Sequence, residues 1–206
     1  MADLHCPARV VLARHGEAEY ETGLTTDDGG CLTVVGRQQA RALGEALRDE
    51  NVARVWCSPL SRAVQTAEIA AGVLGVDVVV REGLREYGVG AIAGTDADEA
   101  DSIGPVFAAW VAGDDSARIP GGERIADVVA RVRTVLEEVA DAHRGETVLV
   151  VSHGGAVMAT VPELVGAPRA RAHDLVLPGG GHLVLESDED GWRRLPTLRP
   201  GRAARG

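Results

Sequence analysis

Apolar residues in this chain fall into short unbroken runs, separated by stretches in which they recur every three or four positions. That alternation is the signature of buried strands connected by amphipathic helices. Residues 9–13 (RVVLA), 52–58, 76–80 and 147–152 (TVLVVS) read as strands, the last being the clearest. Thr33 reads as an N-cap, and the helix pattern over 38–50 puts Leu43 and Leu47 on one face. Pro59 stands where a second helix would open, running through Val64, Ile69 and Val73 to Gly75. Over 123–143, Val128, Val132, Val135, Leu136 and Val139 recur at helical spacing, and an Ala/Met/Val-rich helix follows His153-Gly154-Gly155. Residues 183–186 and 192–195 supply closing strands. The stretch 19–31 is polar and glycine-rich, and 81–120 carries one short helix near 106–112. The expected fold is α/β: a three-layer sandwich with a mostly parallel central sheet and helices on both faces. With no internal repeat or linker, residues 1–198 are expected to form a single domain and the Pro/Gly/Arg/Ala-rich tail, 199–206, to be disordered.

In such sheets ligands bind beyond the carboxyl ends of the strands. His15 follows the first strand, His153 the strand 147–152, and Ser58 the strand 52–58, with Arg62 shortly after it. Three segments thus bring polar groups to one edge. A glycine succeeds each histidine, allowing close backbone approach to a ligand. Arg14 precedes His15, and Arg62 lies early in a helix, where the N-terminal end favours anions. Two imidazoles and two guanidiniums at one edge call for a counter-anion. Phosphate has enough oxygens to accept from all four. A neutral imidazole can then attack phosphorus, while a carboxylic acid protonates the departing oxygen.

Composition narrows the chemistry further. Among the 206 residues there is no lysine, which removes Schiff-base and Walker-A mechanisms and leaves anion binding to arginine. The net charge of −10 argues against nucleic acid or an anionic membrane as a partner. Cys6, Cys31 and Cys57 have no CxxC spacing and read as free thiols in a reducing compartment. Neither a signal peptide nor a membrane-spanning run is evident, so the expected location is cytoplasmic.

These residues resemble the histidine phosphatase superfamily, also called the phosphoglycerate mutase-like family, over nearly the whole chain. The run Val10 to Glu17 is similar to its signature strand and nucleophile, and Leu32-Thr33 with Gly36, Gln39 and Ala40 to its first-helix opening. Ser58-Pro59-Leu60-Ser61-Arg62-Ala63 with Gln65-Thr66-Ala67 resembles its second phosphate-binding motif, and Leu84-Arg85-Glu86 with Gly90 and Gly94 its proton-donor segment. Gly122-Glu123 and Arg131 resemble its late helix, and Val150 to Gly154 its second-histidine motif. The resemblance implies that His15 carries the phosphoryl group as phosphohistidine. It implies that Arg14, Arg62, His153 and Gly154 bind that group and that Glu86 is the acid/base, with Glu82 as its rival. No cofactor and no metal would be needed, and the partner would be a small phosphorylated metabolite. The sequence leaves a homodimer open.

Two departures bear on the reaction. Glu21 stands where the family commonly has asparagine, and Ile92-Ala93-Gly94 where it commonly has Trp-Glu-Gly. Both favour a phosphatase over a phosphoglycerate-type mutase. A non-catalytic phosphate-binding sensor and a metal-dependent hydrolase built on His15 and His153 are the rivals from other classes. Gly88 to Ala93 matches a dinucleotide-binding pattern without the flanking strand and helix. His153-Gly154-Gly155 is similar to an esterase oxyanion motif, but there is no G-x-S-x-G elbow. Cys57 and Arg62 are spaced one residue short of a tyrosine-phosphatase loop. His5, His143, His173 and His182 read as surface or structural, with His173 and His182 as candidates for the far side of the pocket.

Overall fold

A computed structural model describes residues 6–19, 26, 29–95 and 103–196. The segments around Glu21 and the tail 199–206 lie outside the described residues. The strands are β1 (Ala8–Arg14), β2 (Ala18–Glu19), β3 (Cys31–Leu32), β4 (Val52–Cys57), β5 (Val78–Val80), β6 (Thr147–Ser152), β7 (His182–Asp188) and β8 (Gly191–Leu195). The helices are α1 (Val34–Ala46), α2 (Ser61–Leu74), α3 (Ile103–Val111), α4 (Ile125–Ala142) and α5 (Gly154–Leu164). Six strands form one sheet in the order β5-β4-β6-β1-β7-β8. The first four run parallel, and β7 and β8 are antiparallel additions at one edge. The α/β sandwich expected from the sequence is therefore observed, as a mixed sheet.

Alternation along β1 divides the core. Val10 and Leu12 point into the layer beneath α4 and α5, joined by Val128, Val132, Leu136 and Val161. Val11 and Ala13 point the other way, onto Leu43, Ala63, Ala67 and Ala70 of α1 and α2. With aromatics at 3% of the chain, this second layer is filled by small side chains and is correspondingly thin. A Cβ on Gly44 would stand 3.0 Å from the Ala70 carbonyl oxygen, so α1 and α2 approach almost backbone to backbone.

Element boundaries differ from the sequence pattern in places. Thr33 does cap α1, accepting from the Gly36 N–H at 3.0 Å, but the helix starts at Val34 and gives way to a 3-10 turn over Arg48–Glu50. The pattern missed this start because Val34 and Val35 are exposed in the first turn. The third strand is shorter than expected, because its pairing with β4 begins only at Val78. The polar stretch 19–31 is bracketed by an unforeseen pairing of β2 with β3. Gly90–Ile92 forms a short 3-10 turn, so the dinucleotide-like glycine pattern has neither strand nor helix around it.

Candidate active site

Strand register builds the site. Arg14 pairs with Ser152 across β1 and β6, and Cys57 pairs with Val151 across β4 and β6. Three adjacent parallel strands thus end in one row, and the next residues, His15, His153 and Ser58, emerge together. The His15 N–H donates to the Ser152 carbonyl at 3.0 Å, fixing the loop's first step. Gly16 then passes so near α1 that an added Cβ would lie 2.5 Å from the Gly36 carbonyl oxygen. Its N–H donates to Thr66 Oγ1 at 3.0 Å, tying the loop to α2.

His15 is buried, and its geometry selects one tautomer. Nδ1 lies 2.7 Å from the Gly16 carbonyl oxygen, which can only accept, so Nδ1 carries the proton. Nε2 accepts from Arg62 Nε at 3.3 Å and so presents its lone pair to the cavity. Burial holds the imidazole down to about pH 4, with Arg62 and Arg14 adding to the effect against the Gly16 hydrogen bond. It is therefore neutral and nucleophilic at physiological pH.

His153 is fully buried, and its ring centroid lies 5.1 Å from that of His15. Its Nε2 meets Ser58 Oγ at 2.7 Å. Burial pushes its pKa well below the ordinary value, as does the nearby Arg62. Arg14 uses Nη1 on the Leu177 carbonyl at 2.8 Å, and Arg62 uses Nη1 on the Gly29 carbonyl at 2.9 Å. Two buried polar atoms, Arg14 Nε and His153 Nδ1, have no hydrogen-bond partner among the described residues. If Ser58 donates to His153 Nε2, both are unsatisfied donors, one on the residue preceding His15 and the other on the ring 5.1 Å from it, which an anion's oxygens would complete.

Glu86 comes from the loop after the 3-10 turn Glu82–Leu84. Its carboxylate reaches the start of α5, with Oε2 accepting from Gly155 at 2.9 Å and Oε1 from Ala156 at 2.7 Å. Withdrawal from water raises its pKa, and these N–H donors partly offset the rise. Glu82 is exposed, pairs with Arg85 at 3.7 Å and does not line the cavity, so the geometry favours Glu86. A Cβ on Gly155 would meet Tyr87 Cε1 at 2.2 Å and Glu86 Oε1 at 2.8 Å. Gly155→Ala is therefore expected to displace Glu86 and lower kcat on the order of a hundredfold, as small misplacements do. Its thermal melt should stay close to that of the parent, which circular dichroism checks.

The sequence marks Glu123 and Arg131 as part of the late-helix resemblance but assigns them no role in the site, and the structure gives them one. Arg131 of α4 grips Glu123 through two bonds of 2.8 Å and donates to the carbonyls of Gly83, Arg85 and Glu86 at 3.0, 2.6 and 2.9 Å. One guanidinium thereby shapes the whole turn that delivers Glu86. Arg131→Met should leave buried carbonyls unsatisfied, costing about 2 kcal/mol or more in denaturant unfolding. It should also shift the alkaline limb of the pH–rate profile, which a purely structural contact would not move.

Arg14, His15, Arg62, Glu86, Gly154 and His173 all border one cavity of about 890 Å³. His182 does not border it, and His143 is a core residue bonded to Trp56 Nε1 at 3.2 Å. Burial pushes the Cys57 thiol up to about 12, the opposite of an activated nucleophile. Among the described residues no group of three or more His, Cys, Asp or Glu is arranged to hold a metal, and no helix is long and apolar enough to cross a membrane.

Comparisons with known proteins bear on the family and the fold. The family model of the histidine phosphatase superfamily (branch 1) matches residues 10–196. Phosphoglycerate mutase-like protein 4 of Arabidopsis thaliana is 32% identical over 193 residues, covering 90% of this chain and 82% of its own. The probable phosphoglycerate mutase GpmB of Salmonella choleraesuis (strain SC-B67) is 32% identical over 190 residues, covering 89% and 87%. Among solved structures, mycobacterial glucosyl-3-phosphoglycerate phosphatase Rv2419c superposes with a TM-score of 0.75 at 29% identity, covering 90% of this chain and 96% of that one.

Proposed function

The chain belongs to the histidine phosphatase superfamily, and from that premise we propose that it hydrolyses a small phosphomonoester through a phosphohistidine on His15. The observation that carries the reading is the pair of buried, unsatisfied polar atoms, Arg14 Nε and His153 Nδ1, beside a neutral imidazole. A phosphoryl group seated there would receive donors from Arg14, Arg62 and His153 while His15 Nε2 faces phosphorus. Arg62 Nε would turn from Nε2 to a phosphoryl oxygen, freeing the lone pair for attack.

In the first step Nε2 bonds to phosphorus as the ester P–O bond breaks, and Glu86 gives its proton to the leaving alcohol. In the second, the Glu86 carboxylate takes a proton from water, whose oxygen displaces His15 and releases inorganic phosphate. An arriving phosphate dianion favours the protonated form of Glu86, preparing it as the acid. A mutase must in addition hold a second anionic group, and the cavity's basic lining beyond Arg14, His15 and Arg62 is His173 alone among the described residues. This balance of charge favours hydrolysis. No step requires a metal ion.

Turnover of p-nitrophenyl phosphate, unchanged by a chelator, is the expected outcome of a colorimetric assay. Tight phosphate binding without turnover would support the sensor reading instead, and loss of activity on chelation the metal-dependent one.

A further inference from the structure

The phosphoryl group accounts for only one end of the cavity. At about 890 Å³ the space lies near the top of the range usual for small-molecule sites, about 300–1,000 Å³. The apolar part of its wall includes Tyr87, Val89, Ile103, Phe107, Ala108 and Met158, with Thr26 and Gln39 adding neutral polar groups. Three of these come from α3, a helix with no charged residue. Phe107 and Trp110 anchor α3 in a cluster with Ala159 and Ala172, so the apolar wall is part of a packed layer.

Charge points the same way. On the phosphatase reading Arg14 and Arg62 bind the phosphoryl group, and the other acidic or basic residues bordering the cavity, among the described residues, are His15, His173, Glu17 and Glu86. His173 meets Phe107 edge-on at 6.4 Å between ring centroids. A carboxylate on the leaving group would lose water against hydrocarbon and meet acidic neighbours, whereas an alkyl group would gain from the same wall.

Resting on the phosphatase reading above, we propose that the site selects phosphomonoesters of uncharged, apolar alcohols and discriminates against esters carrying a second anionic group. The substrate class differs in this from the phosphoglycerate derivative named for the mycobacterial relative.

The test is kcat/KM for n-alkyl phosphates from ethyl to octyl, whose leaving alcohols have nearly the same basicity, together with 6-phosphooxyhexanoate. The expected result is a rise of about fourfold per methylene until the pocket is filled. Hexyl phosphate should exceed its carboxylate counterpart on the order of a hundredfold. Met158→Ala should flatten the chain-length dependence. Ala108→Arg, at an exposed lining position, should raise kcat/KM for the carboxylate ester on the order of tenfold. A flat series, or a carboxylate ester favoured by the parent enzyme, with phosphate still captured on His15, would overturn this inference and leave the phosphatase reading intact. No turnover and no phosphohistidine with any of these esters would overturn both.

Discussion

His15→Ala is expected to lower kcat on the order of 10⁵-fold while inorganic phosphate still binds. The loss is large because nucleophile and acid act as a unit, and removing either atom of attack or its timing collapses the stepwise route. Phosphate affinity should change by about tenfold or less, because Arg14, Arg62 and His153 keep their own anchors on Leu177, Gly29 and Ser58. Calorimetry with phosphate and steady-state kinetics separate the two effects. Comparable losses of binding and turnover would mean that His15 only helps to hold the anion.

Glu86→Gln is expected to produce the second-largest loss, and its size should depend on the leaving group. For an alkyl phosphate the departing alkoxide needs a proton, and the loss should reach about 10²–10⁴-fold. For p-nitrophenyl phosphate, whose leaving group is stable as an anion, the first step should be slowed far less. The pH dependence follows from the same assignments. His15 must be unprotonated, and because its pKa is held to about 4, activity should persist well below the ordinary histidine range and fall only towards pH 4. Glu86 must be protonated for the first step, so activity with alkyl esters should fall as pH rises through its raised pKa. Glu86→Gln should remove the alkaline limb. Stopped-flow kinetics across pH with both ester types checks this, and a limb that survives the substitution would assign the proton to another group.

What the sequence reveals and what it hides have physical causes. β6 and the Val10–Ala13 stretch of β1 are legible because both faces are buried and the apolar run is unbroken, while β4 shows it only over Val55–Cys57. His15 and His153 are legible for the same reason, since each follows such a run at a strand end, and Arg62 follows from its place early in the next helix. α4 shows its face through Val128, Val132 and Leu136, buried at helical intervals. α3 is harder to place because it is apolar all round, packing Phe107 and Trp110 inward while Ile103 and Ala108 border the cavity. The turns around Glu86 carry no periodicity, and their shape is imposed by Arg131 through carbonyls more than 40 residues away. Backbone acceptors leave no trace in residue identity. Neither do the unsatisfied atoms of Arg14 and His153, which exist only once three strands end in register.

The central claim is covalent chemistry at His15, and one measurement bears on it directly. The enzyme is mixed with an alkyl phosphate, quenched on the millisecond scale under alkaline conditions that preserve phosphohistidine, digested and mapped by mass spectrometry. The predicted result is an acid-labile phosphate on the peptide containing Arg14-His15-Gly16, located on His15 and absent from His15→Ala. It should accumulate during turnover and decay as inorganic phosphate appears. Phosphate on any other residue, or rapid turnover with no phosphoenzyme at any quench time, would contradict the account.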